Sequence, residues 1–316
     1  MEHNSDKNVT RISGIDSHVK LSPSPYRESN DPPSRFGDSD VKLLPEKLFK
    51  SFKKLIFEQC GITLNEQKRL MLSVRIQKRL RSLGGLSYLE YLDYLSSQNG
   101  SKELPFLINV VTTNKTDFFR EPYHFTILTT QLLPELERTQ PFSNTNRLHI
   151  WSAGCSSGEE PYTLAIVLSD YFENRPGQCF QILATDISTD VLKKAIRAIY
   201  TNDVVRPIPK HFLRKYLMKG SGEWKDHWRI TPNVRKTIQF GQLNFSDRQY
   251  GIEHSMHIVF CRNVIIYFSQ ETKASVIKKL STQLIPRGYL FIGHSETLHH
   301  ISTDFEPVER TVYRKL

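Results

Sequence analysis

The sequence lacks several things that would have pointed elsewhere. Its first residues, MEHNSDKNVTRISG, hold no apolar stretch, so no secretory signal is expected. No apolar run reaches the length of a membrane span. The two strongest, Met256–Cys261 and Val264–Phe268, are interrupted by Arg262 and Asn263. Cysteine is scarce: Cys60, Cys155, Cys179 and Cys261 form no C-x-x-C pair, which argues against zinc-ribbon and dithiol redox chemistry. The expectation is a cytoplasmic protein with free thiols, without membrane insertion.

What is present is a chain of 316 residues with 38% hydrophobic residues, enough for one large domain or two ordinary ones. Its formal net charge of +10 favours acidic partners, whether nucleic acid, anionic membrane or acidic protein.

Residues 1–41 are polar and rich in Ser, Asn, Asp and Pro, and are expected to form a disordered tail. An all-helical domain is expected over 42–120. PEKLFKSFKKLIFEQCG has helical periodicity and a stop at Gly61. LNEQKRLMLSVRIQKRLRSLGG follows, with Leu72, Ile76, Leu80 and Leu83 as its apolar stripe. SYLEYLDYLSSQNG opens at the cap residue Ser87, and ELPFLINVVTTN is a fourth helix. Over 121–316 strands alternate with helices: LHIW, QILATD, MHIVFC and YLFIGH are strands of an α/β domain with a mostly parallel sheet. An inserted antiparallel β-subdomain is expected at about 206–242, with HWRIT and RKTIQF as its strands.

The stretch WSAGCSSGEEPY (151–162) admits three readings. As a hydrolase elbow it would use Ser156, Asp186 and His294, but the acid ends the very next strand, too early for that fold. As a phosphate turn it lacks both a lysine after Gly158 and G-x-G-x-x-G. Glu159 and Glu160 would also repel a phosphate from the positive end of the helix. A cationic nucleoside is attracted instead, with Gly154 and Gly158 letting the backbone come close and Asp186 accepting from two ribose hydroxyls. S-adenosylmethionine meets these demands.

Five blocks in order, NKTDFFREPYHF, WSAGCSSGEEPYTLAI, ATDISTDVLKKAIRAIY, FCRNVIIYF and RGYLFIGHSETL, make the chain from about 42 onward resemble the CheR family. These are S-adenosylmethionine-dependent methyltransferases of bacterial chemotaxis receptors. The resemblance implies an N-terminal all-helical domain followed by a Rossmann-like methyltransferase domain with a small inserted β-subdomain. It implies methyl transfer to receptor glutamates, giving methyl esters and S-adenosylhomocysteine, by a protein expected to be a monomer. By motif position it makes Asn114, Thr116 and Arg120 cofactor contacts, with Glu159 or Glu160 in the turn and Asp186 on the ribose. Asn244 and Phe245 come near the adenine, joined by Asn263 and Val264. Arg120 and Tyr267 are placed nearest the acceptor carboxylate as catalytic residues. The second helix carries Lys68, Arg69, Arg75, Lys78, Arg79 and Arg81 against the single acid Glu66, which suits a substrate surface for the glutamate-bearing cytoplasmic helices of receptors.

Two rival classes remain. A nucleic-acid methyltransferase would carry an [ND]-P-P-[YF] loop; the nearest match, Asp31–Ser34, lies in the tail and lacks the aromatic, so no nucleic acid is expected. A non-catalytic module that holds cofactor or receptor is the other. His294, His299 and His300 have no acid or cysteine at ligand spacing, and no metal is expected.

Overall fold

The computed structural model describes residues 10–11, 42–98, 100–139, 147–175, 177, 179–299, 301 and 304–316. The expected tail lies outside the described residues except for Thr10 and Arg11, and His300 also lies outside them.

Four helices form the first layer: α1 (Glu46–Cys60), α2 (Arg69–Ser82), α3 (Tyr88–Ser96) and α4 (Gly100–Val111). Gly61 ends α1 in the left-handed conformation (φ 72°), with its amide returning to Phe57 O. Ser87 and Glu90 cap α3 reciprocally. The apolar faces meet in one core that contains Phe49, Phe52, Ile56, Leu72, Ile76, Tyr91 and Leu107. Each such side chain contributes about 1.5–3 kcal/mol by leaving water.

The second layer is an eight-stranded sheet. Its strands are β1 (Thr10–Arg11), β2 (Arg147–Ala153), β3 (Cys179–Asp186), β7 (Ile238–Gln242), β8 (Met256–Cys261), β9 (Leu284–Ile292), β10 (Phe305–Glu309) and β11 (Val312–Lys315), in the order β1-β7-β3-β2-β8-β9-β11-β10. The middle five are parallel, and β1, β11 and β10 are antiparallel additions. Every residue of β8 is buried, as expected for a strand covered on both faces. Helices α5 (Tyr123–Ile127) and α6 (Leu133–Thr139) precede β2, and α7 (Glu159–Tyr171) and α8 (Thr189–Arg197) follow β2 and β3. Strand order reverses between β2 and β8, and such a switch point opens a crevice at the carboxyl ends of the strands. Among the described residues no helix is long and apolar enough to cross a membrane.

The insert needs correction. Its sheet consists of β4 (Ile199–Thr201), β5 (Leu217–Lys219) and β6 (His227–Ile230) in the order β4-β6-β5, so it begins before 206. The run RKTIQF does not pair with HWRIT. Pro232–Arg235 forms a helical turn between them, with Pro232 in the first turn where no amide is needed. Ile238–Gln242 then joins the main sheet as β7, pairing with Ile182–Asp186 of β3. The two-residue strand β1 lies against Gly241 and Gln242 of β7, so part of the expected tail is structured.

Candidate active site

The turn after β2 is built around Asp186 at the end of β3. Its Oδ2 accepts the Ser156 amide at 2.8 Å and its Oδ1 the Ser188 amide at 2.9 Å. The hydroxyl of Ser188, not Asp186, caps α8 by accepting the Val191 amide. Burial pushes the Asp186 carboxyl up, and the amides of Ser188, Ser156 and Ile187 oppose this. Ser156 takes φ +48° and donates from Oγ to Asn114 O at 2.9 Å, so its hydroxyl serves the loop and no Ser–His pair forms. Gly154 (φ +90°) would place a Cβ 2.5 Å from Val264 Cγ2, and Gly158 (φ +99°) one 2.8 Å from Tyr200 Oη. The space left by Gly158 is therefore filled by Tyr200 and Ala195 rather than kept for a ligand.

A cleft partly open to solvent, about 1020 Å³ with that open space included, lies between the helical layer and the sheet. From the helical side it is lined by residues including Cys60, Leu64, Lys68, Met71 and Val111, and from the strand ends by Gly154, Asp186, Ile187, Arg262 and Val264. Asn114, Thr116, Arg120, Glu160, Asp186, Asn244, Phe245, Asn263, Val264 and Tyr267 all line it. Glu159 does not. It is buried, accepts the Ser157 hydroxyl at 2.7 Å, and burial raises its pKa. The Asn244 side chain ties the layers together, its Nδ2 donating to Gln59 O at 2.7 Å while Oδ1 accepts the Ser246 amide. Lys68 stands 4.8 Å from the centre of the Tyr267 ring; burial and the Arg75 charge lower its pKa.

Sequence reasoning passed over Arg262, whose side chain is only 2% exposed. Its Nε donates to Glu160 Oε2 at 2.7 Å, and its Nη1 donates to Arg120 O at 2.8 Å and Glu121 Oε2 at 3.3 Å. Nη1 also lies 3.1 Å from His124 Nδ1. The available signal was a cation placed directly after the apolar run Ile258–Cys261. Glu121, His124 and His294 bring three potential metal ligands within 4.8 Å of one another. The guanidinium already supplies the positive charge there, and burial followed by that charge holds His124 down to about 4.

Part of the basic helix expected to form a substrate surface is engaged inside the protein. Arg75 Nη1 donates to the carbonyls of Val110, Val111 and Thr112 at the end of α4, and Arg69 Nε to Leu44 O. Arg79 grips the buried Glu103 through Nε and Nη2 at 2.8 and 2.7 Å. These three arginines fasten the helical layer. Lys78 and Arg81 stay exposed, and Lys68 turns to the cleft.

Two family models match the two layers: "CheR methyltransferase, all-alpha domain" over residues 47–112 and "CheR methyltransferase, SAM binding domain" over residues 114–314. The chain belongs to the CheR methyltransferase family. A "Chemotaxis protein methyltransferase" of Borreliella burgdorferi is 37% identical over 263 residues, covering 83% of this chain and 92% of that protein. One from Escherichia coli K12 is 36% identical over 270 residues, covering 85% and 91%. "Chemotaxis protein methyltransferase 2" of Pseudomonas aeruginosa is 32% identical over 285 residues, covering 90% and 98%. This CheR methyltransferase uses S-adenosylmethionine as its cofactor. The residues present fit that molecule: two carboxylates and Phe245 line the cleft, and each Asp186 oxygen accepts one of the two short backbone bonds, leaving acceptor capacity on both.

Proposed function

We propose that the protein transfers methyl groups from S-adenosylmethionine to glutamate side chains on the cytoplasmic helices of chemoreceptors, giving methyl esters and S-adenosylhomocysteine. One observation carries this reading. The described lining of the cleft holds no histidine, and both of its acids have partners: Glu160 is bound by Arg262 and Ser152, Asp186 by backbone amides that include those of Ser156 and Ser188. An amine or alcohol acceptor would need a base to remove its proton, whereas a carboxylate is already ionised at neutral pH. Lys68 and Arg120 line the same cleft and have no ion-pair partner among the described residues.

Within this reading Asp186 takes the ribose hydroxyls and Glu160, not Glu159, faces the cationic end of the cofactor. Phe245, Val264 and the backbone at Asn244 border the adenine, and Asn114, Thr116 and Asn263 complete the contacts. The bound cofactor supplies an electrophilic methyl on a cationic sulfur. Arg120 and Lys68 hold the acceptor carboxylate, and the Tyr267 phenol orients it without sequestering its charge. The acceptor has no proton to lose, so the work is positioning rather than proton transfer.

The test is transfer of labelled methyl groups into chemoreceptor-bearing membranes, followed by mild alkali. Methyl esters release the label as methanol. Label that survives base, or that enters nucleic acid instead, would refute the proposal.

A further inference from the structure

We infer that Arg262 is a positioning residue for this transfer, setting the cofactor-facing Glu160 and the loop that carries Arg120 in one fixed geometry. The inference rests on the methyl-transfer reading above and concerns how the site is held.

A guanidinium that is 2% exposed at the end of a wholly buried strand is costly unless every polar edge is matched. Here the Nε and Nη1 edges are matched, in two directions. The Nε edge meets Glu160 in the first turn of α7, whose other oxygen accepts the Ser152 hydroxyl of β2 at 2.7 Å. The Nη1 edge meets Arg120 O and Glu121 Oε2 in the loop, and Glu121 Oε1 in turn accepts the His294 amide after β9 at 3.2 Å. The planar fork thus fixes α7, the loop and two strand ends relative to one another.

The loop needs this support. Phe119 and Glu121, the residues on either side of Arg120, both hold positive φ, at 54° and 57°. Non-glycine residues in that region cost on the order of 1–3 kcal/mol each and persist only where surrounding contacts hold them. Arg262 bonds to the carbonyl between them and to the second carboxylate. Among the described residues the Arg120 side chain itself donates one hydrogen bond, from Nη1 to Lys115 O at 3.1 Å. Its direction into the cleft is therefore set by its backbone. A lysine at 262 would keep the charge and serve one direction, not both.

The experiment compares Arg262→Lys and Glu121→Gln with the unaltered protein by three measurements. These are S-adenosylhomocysteine affinity by calorimetry, amide hydrogen exchange over residues 116–122 without ligand, and steady-state transfer. Arg262→Lys should weaken S-adenosylhomocysteine about tenfold, as expected for a lost charge-assisted bond at Glu160. It should also lower kcat about 100-fold, as a misplaced reacting group does. Glu121→Gln weakens only the loop arm and spares the Glu160 arm. It should leave S-adenosylhomocysteine affinity unchanged, speed exchange in the loop, and lower kcat about threefold to tenfold. If Arg262→Lys fails to fold, Glu121→Gln alone decides. Normal kcat with normal loop exchange in that variant would overturn the inference, as would normal affinity and kcat in Arg262→Lys. Affinity and exchange are read without any acceptor. Failure of the ester reading would show instead as base-stable label with the unaltered protein.

Discussion

Arg79 and Arg262 each reach a nearly buried carboxylate, one in the helical layer and one at the strand ends. Arg79 meets Glu103 with two parallel bonds, and the Tyr91 hydroxyl donates to the same carboxylate at 2.8 Å. These groups join α2, α3 and α4, and none of them lines the cleft. Arg262 gives only its Nε to Glu160 and turns Nη1 to a loop on the other side. The same chemistry fastens a scaffold when all of its bonds close on one core. It shapes a site when those bonds diverge to elements that meet at a cleft.

Breaking the scaffold pair should give the largest effect. Arg79→Ala leaves Glu103 buried without its counter-ion and is expected to destabilise the protein by about 3–5 kcal/mol, measured by urea unfolding. S-adenosylhomocysteine affinity at low temperature should stay within about twofold. A normal unfolding midpoint would make the pair dispensable. Arg120→Ala should do the reverse, lowering transfer about 100-fold, or roughly 2.7 kcal/mol, with an unchanged midpoint. Near-normal transfer would remove Arg120 from the chemistry.

The contrast also explains what was legible in the sequence. Helical periodicity located all four helices of the first layer, and alternating segments located the central strands, because those patterns are local. The quoted turn and Asp186 were legible because their glycines and acid sit at fixed offsets from strands. The internal role of Arg75 was not legible because sequence shows charges but not the carbonyls of Val110, Val111 and Thr112 that lie beside it. RKTIQF alternates as any half-buried strand does, and only tertiary pairing gives it to β3 rather than β6. The hairpin β10–β11 escaped notice because Thr311 takes φ +60° where glycine or asparagine would have announced a turn. Adjacent Glu159 and Glu160 differ because successive helix positions point about 100° apart, so one enters the packed interior and the other the cleft.

Two histidines test the comparison by pH. His124 beside Arg262 and His149 at the opposite end of the sheet are both lowered from 6.5 to about 4, chiefly by burial. The unfolded chain therefore takes up protons below 6.5 that the folded chain refuses. The stability each histidine contributes is full above 6.5 and is lost as pH falls toward 4, with a limiting slope of about 1.4 kcal/mol per pH unit. Glu159, Asp186 and Glu296, raised by burial, act in the opposite sense as pH rises through their folded values. The difference between the unaltered protein and His149→Gln isolates the remote histidine. Urea midpoints at pH 7.5, 6 and 5 should diverge toward low pH, with the variant less acid-sensitive. Parallel curves would show that His149 titrates normally.

The smallest effect concerns where a receptor docks under the proposed function. With Arg69, Arg75 and Arg79 engaged internally, the outward face of α2 presents Leu70 (57% exposed), Val74 (45% exposed), Lys78 and Arg81. Spacings of three and four residues put these on one stripe, apolar near the cleft and basic beyond it. An amphipathic helix bearing glutamates complements that order. Reversing both exposed charges, Lys78→Glu with Arg81→Glu, should raise the KM for receptor about threefold to tenfold, leave kcat unchanged, and flatten the dependence of KM on salt. Arg75→Glu should fail differently, by releasing the end of α4 and lowering stability, so the two variants separate docking from folding. An unchanged KM with an unchanged salt slope in the double variant would move the docking surface off this face of α2.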